Sequence, residues 1–239
     1  MAYYGYGEYI TVGEKKAMAD ASIQRLKKKH PNIQPVLIEG RSLVKSWWGK
    51  AWNKNLESYA DFANRIQRGR SYVRNHAVVD LKISEGIVTG MVQGTRKQPY
   101  KIRIEIDPLT EKRWDRIAKL CNSRIESIEK LIQGKFPEEM KETFTDRQYG
   151  LFPTPKEIHF QCNCPDWAYM CKHIAAVLYG IGSRFDDDPL LFFHLRGVDV
   201  KQLIKKTIDE KVQNMLKNTG KKSCREINLE KIDDLFGLS

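Results

Sequence analysis

The 239 residues carry 41 Lys and Arg against 30 Asp and Glu, a formal net charge of +11, with 41% hydrophobic residues. That apolar share excludes an intrinsically disordered chain, and the length allows one large or two modest domains whose core needs no disulfide support. No apolar run approaches the roughly 20 residues that a membrane-spanning helix requires.

The stretch MAYYGYGEYITVGEKK lacks a basic segment followed by an apolar one, so no secretory signal is expected and the expected compartment is the cytoplasm. Thiols stay reduced there. The charge is uneven: residues 1–110 hold 19 Lys and Arg against 10 Asp and Glu, whereas residues 185–239 hold 10 of each. A one-sided basic field suits a surface that meets a polyanion, although solubility alone also accounts for a basic protein.

In chain order, Thr11-Val-Gly-Glu14 has capping-box spacing and predicts a helix over 14–29 that Pro31 ends. A second helix is expected from about Ser46 to Gln67, with Trp48, Trp52, Leu56, Tyr59, Phe62, Ala63 and Ile66 recurring at three- and four-residue steps and Gly69 as its stop. Residues 78–83, 87–94 and 100–106 alternate apolar and polar side chains between short turns, the pattern of an antiparallel meander with one wet face. A third helix follows over 111–133, then a Gly- and Pro-bearing connection over 134–155, a strand over 157–163 and an apolar helix over 172–179. Asp186-Asp-Asp188 before Pro189 reads as a helix start. Asp199 caps a further helix with a Val200–Leu216 apolar stripe, and a short amphipathic piece occupies 228–236. The expected class is α+β: an N-terminal antiparallel meander flanked by helices over 1–137, a small strand-turn-helix module over 138–184 holding a Cys162, Cys164, Cys171 and His173 cluster that suits zinc, and a helical C-terminal region over 185–239.

The chemistry concentrates in Cys162-Asn-Cys164-Pro-Asp-Trp-Ala-Tyr-Met-Cys171-Lys-His173. Residues two apart on a strand face one way, so Cys162 and Cys164 can present both sulfurs to one point. Pro165-Asp166 turns the chain, and Cys171 and His173 bracket a helix start whose first turn reaches back. Three cysteines and a histidine suit one tetrahedral Zn²⁺ and leave no open position for catalysis. Lys172 and the positive end of that helix can offset the surplus thiolate charge. Losing any ligand is expected to unfold this module before the rest. Reduced buried cysteines beside a satisfied histidine are a poor alternative at this spacing. A redox relay lacks its C-x-x-C pair.

C-x-C-x6-C-x-H, preceded by a strand and followed by His173-Ile-Ala-Ala-Val-Leu-Tyr179, resembles the SWIM-type zinc finger. The wider pattern resembles bacterial stand-alone SWIM proteins in Ser46-Trp-Trp-Gly-Lys-Ala-Trp52, Arg68-Gly-Arg-Ser-Tyr72, Val92-Gln-Gly94 with Pro99-Tyr100, and Leu195-Arg-Gly197. The resemblance implies a structural zinc on Cys162, Cys164, Cys171 and His173. It also implies a module that binds DNA or protein, often beside SNF2-type helicases.

Alternate residues on an extended segment share a side, so Arg68, Arg70 and Arg74 with Tyr72 are candidates for a fork towards phosphates, joined by Arg96, Lys97, Lys101 and Arg103. A solvated edge strand guarded by charge explains them equally well. Trp48 and Trp52 fall on the helix's core face, whereas Trp47 falls off it and is the better surface candidate for stacking. No phosphate loop G-x-x-x-x-G-K-[ST], no G-x-S-x-G and no H-x-E ahead of the cysteines is present, so no catalytic activity is expected. The leading expectation is a nucleic-acid-binding accessory protein, with DNA as its ligand and an SNF2-type helicase as its partner. The alternative is a protein–protein adaptor using the zinc module and the C-terminal helices.

Overall fold

A computed structural model describes residues 10–58, 63–122, 138, 141–146 and 149–199, with scattered positions between 205 and 217. It divides the chain into two compact units, Met1–Val200 and Lys201–Ser239. The elements of the first are α1 (Val12–Lys29), α2 (Trp47–Glu57), α3 (Ala63–Arg74), β1 (Val78–Ser84), β2 (Ile87–Val92), β3 (Tyr100–Ile106), α4 (Glu111–Asn122), α5 (Lys141–Thr145), β4 (Ile158–Cys162), α6 (Lys172–Asp187) and α7 (Leu190–Leu195).

Alternation forms the meander as expected, and β4 then joins its edge, giving an antiparallel sheet in the order β1-β2-β3-β4. Ile102 pairs with Cys162 and Ile106 with Ile158 across the β3–β4 ladder. The mixed α and β class therefore holds. The expected boundary at 137/138 does not, because the strand of the zinc segment is hydrogen-bonded into the N-terminal sheet. Nor does packing stop at 184/185: α6 runs on to Asp187, and α7 packs within the same unit.

The core is built around α6. Every residue from His173 to Gly182 is buried, as is Phe185, so this helix is apolar on all sides. Gly90 of β2 lets Val177 approach, and Gly180 faces Leu81 of β1. On the opposite sheet face, α1 places Ile23 against Val79, with Leu26 and Met91 beside them. Two indoles of α2 tie that helix to α6: Trp48 Nε1 donates to the Phe185 carbonyl at 2.9 Å and Trp52 Nε1 to the Leu178 carbonyl at 2.9 Å. Trp52 is fully buried against Phe152, Phe185 and Phe192.

Several expectations need correction. The helix expected over 46–67 is two helices, α2 closing at Glu57 where the Ser58 hydroxyl donates to the Asn55 carbonyl. Residues 68–74 are not extended; they belong to α3, and Gly69 lies inside that helix rather than ending it. The reason is tertiary. Gly69 is where α3 meets α6, and the buried Val73 follows one turn later. Asp186 and Asp187 do not start a helix but close α6. The Asp186 carboxylate instead accepts from the Lys45 and Ser46 amides and the Ser46 hydroxyl at the N-terminus of α2. Only Asp188 serves the following helix, accepting from the Leu190 amide at 3.0 Å. The segments 123–133 and 228–236 lie outside the described residues, as does most of the Val200–Leu216 stripe.

Candidate metal centre

Strand pairing sets the first ligand, because Cys162 closes β4 opposite Ile102. Asn163 then pins the knuckle to β3, its Oδ1 accepting from the Lys101 amide at 2.9 Å and from Arg96 at 3.3 Å. The turn after Cys164 is fixed by Asp166, which accepts from the Ala168 amide and takes a two-pronged contact from Arg65 of α3 at 2.9 and 3.1 Å. Tyr169 anchors the return by donating to the Ile158 carbonyl at 2.7 Å. Cys171 is the N-cap of α6, and His173 stands in its first turn, 1% exposed.

These constraints converge on one point. The ligand atoms of Cys162, Cys164, Cys171 and His173 all lie within 4.8 Å of one another. His173 Nδ1 is 3.9 Å from the sulfurs of both Cys162 and Cys171. Zinc held tetrahedrally at roughly 2.3 Å from sulfur and 2.0–2.1 Å from nitrogen sets such atoms about 3.6–3.8 Å apart, so the donor set fits the ion. The thiols share their protons unevenly: a hydrogen bond from Cys162 draws the Cys171 thiol well down, and the same contact, with burial, pushes Cys162 up. A negative sulfur inside a half-buried cluster is a place for a cation.

The wall of the site is aromatic. Tyr100 stacks on the His173 ring at 4.1 Å, and Tyr72 meets it edge-on at 5.4 Å. Nδ1 of His173 faces the sulfurs, which makes it the coordinating atom, while Nε2 is buried with no hydrogen-bond partner. A Cβ on Gly94 would stand 2.6 Å from Tyr100 and 3.6 Å from that nitrogen, so the glycine admits the stack.

A family model for the SWIM zinc finger matches residues 158–180, the span from the start of β4 into α6. The chain carries a SWIM zinc finger. It is also 35% identical over 164 residues to the "Uncharacterized protein Rv2102" of Mycobacterium tuberculosis, a match covering 68% of this chain and 59% of that relative. The chain thus spans less than two thirds of the relative's length. No solved structure matches it.

Around the SWIM finger, the motifs that accompany it in sequence gather in space. Gly69 and Tyr72 of the Arg68–Tyr72 run reach Ala175 and His173, and Gly94 and Tyr100 close the other side. Arg196 of the Leu195-Arg-Gly197 motif is fully buried and donates to the Asp107 carbonyl and to Glu157, which immediately precedes β4. Burial alone would raise the Glu157 carboxyl, but the hydrogen bonds and charge of Arg196, with the Thr154 amide, outweigh it and hold it at about 2.

The residues considered for nucleic acid are spread over several places. Arg68 and Tyr72 line a cavity of about 320 Å³ beside the finger, together with Lys15, Gln93 and Lys172. Arg70 and Arg74 point to a different cavity, bounded by α2. Arg96 lies over the Tyr100 ring at 3.8 Å. Lys97 is exposed in the β2–β3 loop. Lys101 and Arg103 lie exposed on the wet side of β3, Arg103 paired with Glu105 at 2.7 Å. Trp47 is half-buried, edge-on to Trp48 and lining a small aromatic cavity with Phe144 and Phe152. Sequence reasoning missed Trp167, which is 81% exposed in the ligand loop with the Arg65 guanidinium 5.6 Å from its ring centroid. A tryptophan inside a six-residue ligand spacer has no core to enter, and that signal was available.

Proposed function

We propose that the chain is a cytoplasmic, non-catalytic nucleic-acid-binding protein whose SWIM finger and α3 together grip DNA. The carrying observation is the pairing of an exposed stacking side chain with a cationic groove at the finger. Trp167 offers an exposed indole next to Arg65. One helical turn on from Arg65, Arg68 enters the cavity that Lys15 and Lys172 also line. Indole faces stack on bases without regard to sequence, and cations release counterions from phosphates. The four-ligand set has no vacant coordination position with which to do chemistry. With no nucleotide-hydrolysing loop of its own, the protein acts beside a motor, for which an SNF2-type helicase is the proposed partner.

Fluorescence anisotropy with a labelled DNA duplex and single strand, over a salt series, tests this. Affinity is expected to fall steeply with salt and to weaken in Arg68→Ala and Trp167→Ala. Salt-independent binding, or wild-type affinity in both variants, contradicts the reading. A second reading follows from the same exposed Trp167, since tryptophans also anchor protein interfaces. An adaptor of that kind retains its partner in a pull-down after nuclease treatment.

A further inference from the structure

Between α2, α3 and the loop before α2, a cavity of about 280 Å³ that shares no lining residue with the finger's groove is lined by Arg41, Lys50, Lys54, Arg70 and Arg74 with one carboxylate, Glu57. The cations come from three segments. Lys50 and Lys54 are one turn apart on α2, Arg70 and Arg74 one turn apart on α3, and Arg41 belongs to the loop before α2. Like charges at this helical spacing repel, so two such pairs facing one space disfavour the fold slightly unless something negative sits between them.

The charges do not cancel locally. Glu57 is committed to Arg70 and to the Tyr179 hydroxyl. Arg74 donates to the Arg41 carbonyl at 2.9 Å, an uncharged acceptor. No described carboxylate pairs with Lys50, Lys54 or Arg41, and all three are exposed. The ends of α2 and α3 each add about half a negative charge. Five cations against one carboxylate and two helix ends leave about three positive charges in one cavity. Asn53, 8% exposed, also lines the cavity, its carboxamide oxygen buried towards Gly182 of α6. With Oδ1 turned inwards, the amide N–H₂ is the end of that side chain able to donate to a ligand.

We propose that this cavity is a phosphate site that takes a phosphate monoester or a pyrophosphate-type anion. The chemistry selects the class. Two lysines and the guanidiniums present convergent donors, and ionised donors to phosphate oxygens make the shorter, stronger hydrogen bonds. A singly charged phosphodiester neutralises too little of the surplus, whereas a terminal or condensed phosphate carries two charges or more. The volume is at the lower end of ligand cavities, which run from about 300 to 1,000 Å³, so the site holds a phosphoryl group rather than a strand. Such a group is supplied by the 5′ end of a nucleic acid or by a free phosphoanion. The site does not depend on the groove at the finger.

The test is titration of the zinc-loaded full chain with inorganic pyrophosphate at constant ionic strength, followed by the rise in Tm and by calorimetry, with zinc content checked afterwards. Pyrophosphate is expected to raise Tm as binding to the folded state requires. Lys50→Ala/Lys54→Ala is expected to weaken pyrophosphate at least about 10-fold, the equivalent of one lost charged hydrogen bond. Its Tm without ligand is expected to be unchanged or higher. Lys27→Ala/Lys28→Ala removes the same charge elsewhere and is expected to change affinity less than about twofold. No rise in Tm, or equal losses in both doubles, overturns the site. In a second arm, 5′-phosphorylated and 5′-hydroxyl oligonucleotides are compared. A preference for the phosphate that Lys50→Ala/Lys54→Ala abolishes identifies a strand end, and equal binding with pyrophosphate retained identifies a free anion. Pyrophosphate binding by a chain that ignores DNA refutes the DNA reading and leaves this site standing. Arg68→Ala is expected to lower DNA affinity and leave pyrophosphate affinity intact.

Discussion

Gly69 of α3 lies so close to Ala175 of α6 that a Cβ at position 69 would sit 2.5 Å from the alanine methyl and 3.0 Å from its backbone. That separation is shorter than any real carbon contact, so the helices meet backbone to backbone. Ala175 is two residues beyond the zinc ligand His173, which makes this crossing part of the metal site's foundation.

Gly69→Ala therefore tests the packing by its sign. Alanine in a helix interior is ordinarily worth about 0.5–1 kcal/mol over glycine. Here the methyl has nowhere to go, and a net loss of about 1–3 kcal/mol is expected from overpacking. Urea denaturation of the two proteins measures it, and a gain in stability would mean that the helices are not in contact at this position.

Zinc removal is expected to reach further than the ligand loop. The clustered ligands suggested a module that unfolds before the rest. In the structure Cys162 ends a strand of the common sheet, and Cys171 and His173 open the helix around which the first unit is packed. Binding to such sites supplies on the order of 10 kcal/mol. Chelation, or Cys171→Ser, is expected to abolish one zinc per chain by native mass spectrometry and to lower the thermal stability of the first unit as a whole. Loss of zinc with the tryptophan environment of α2 undisturbed would contradict this.

Glu157 and Arg196 make the stability acid-sensitive. The carboxyl is held at about 2, below its ordinary 4.5, so it stabilises the fold above pH 4.5 and loses that contribution as pH falls from 4.5 towards 2. Glu157→Gln strands the fully buried Arg196, which is expected to cost about 3–5 kcal/mol at neutral pH and to flatten the acid limb of the pH profile. Thermal melts between pH 2 and 7 measure both effects. A variant with an unchanged melt at pH 7 would show the pair to be unimportant.

Trp167→Ala is expected to separate function from folding. An indole that is 81% exposed contributes little to stability, so the unfolding free energy should stay within about 0.5 kcal/mol of wild type. Loss of a stacked base costs about 1–3 kcal/mol in single-strand affinity. Equal DNA affinity in the variant would remove Trp167 from the interface.

Local pattern was enough for the meander, for α1 with its Thr11–Glu14 cap, and for the four zinc ligands, because strand alternation, capping and metal coordination each operate over a few neighbouring residues. It failed where two distant segments meet. Arg68 to Arg74 alternates like a strand, yet α6 makes it a helix through Gly69 and Val73, turning Arg70 and Arg74 towards α2 and Arg68 towards the finger. Asp186 looked like the start of a helix and instead completes the N-terminus of α2, more than a hundred residues earlier. The composition of the chain carries its positive charge and its taste for zinc; which cations share a cavity, and which aromatic ring is left exposed, follow only once α6 has drawn β4, α2 and α3 around itself. Burying an apolar helix on every side is a collective demand, and no window of sequence short enough to scan contains all the residues that meet it.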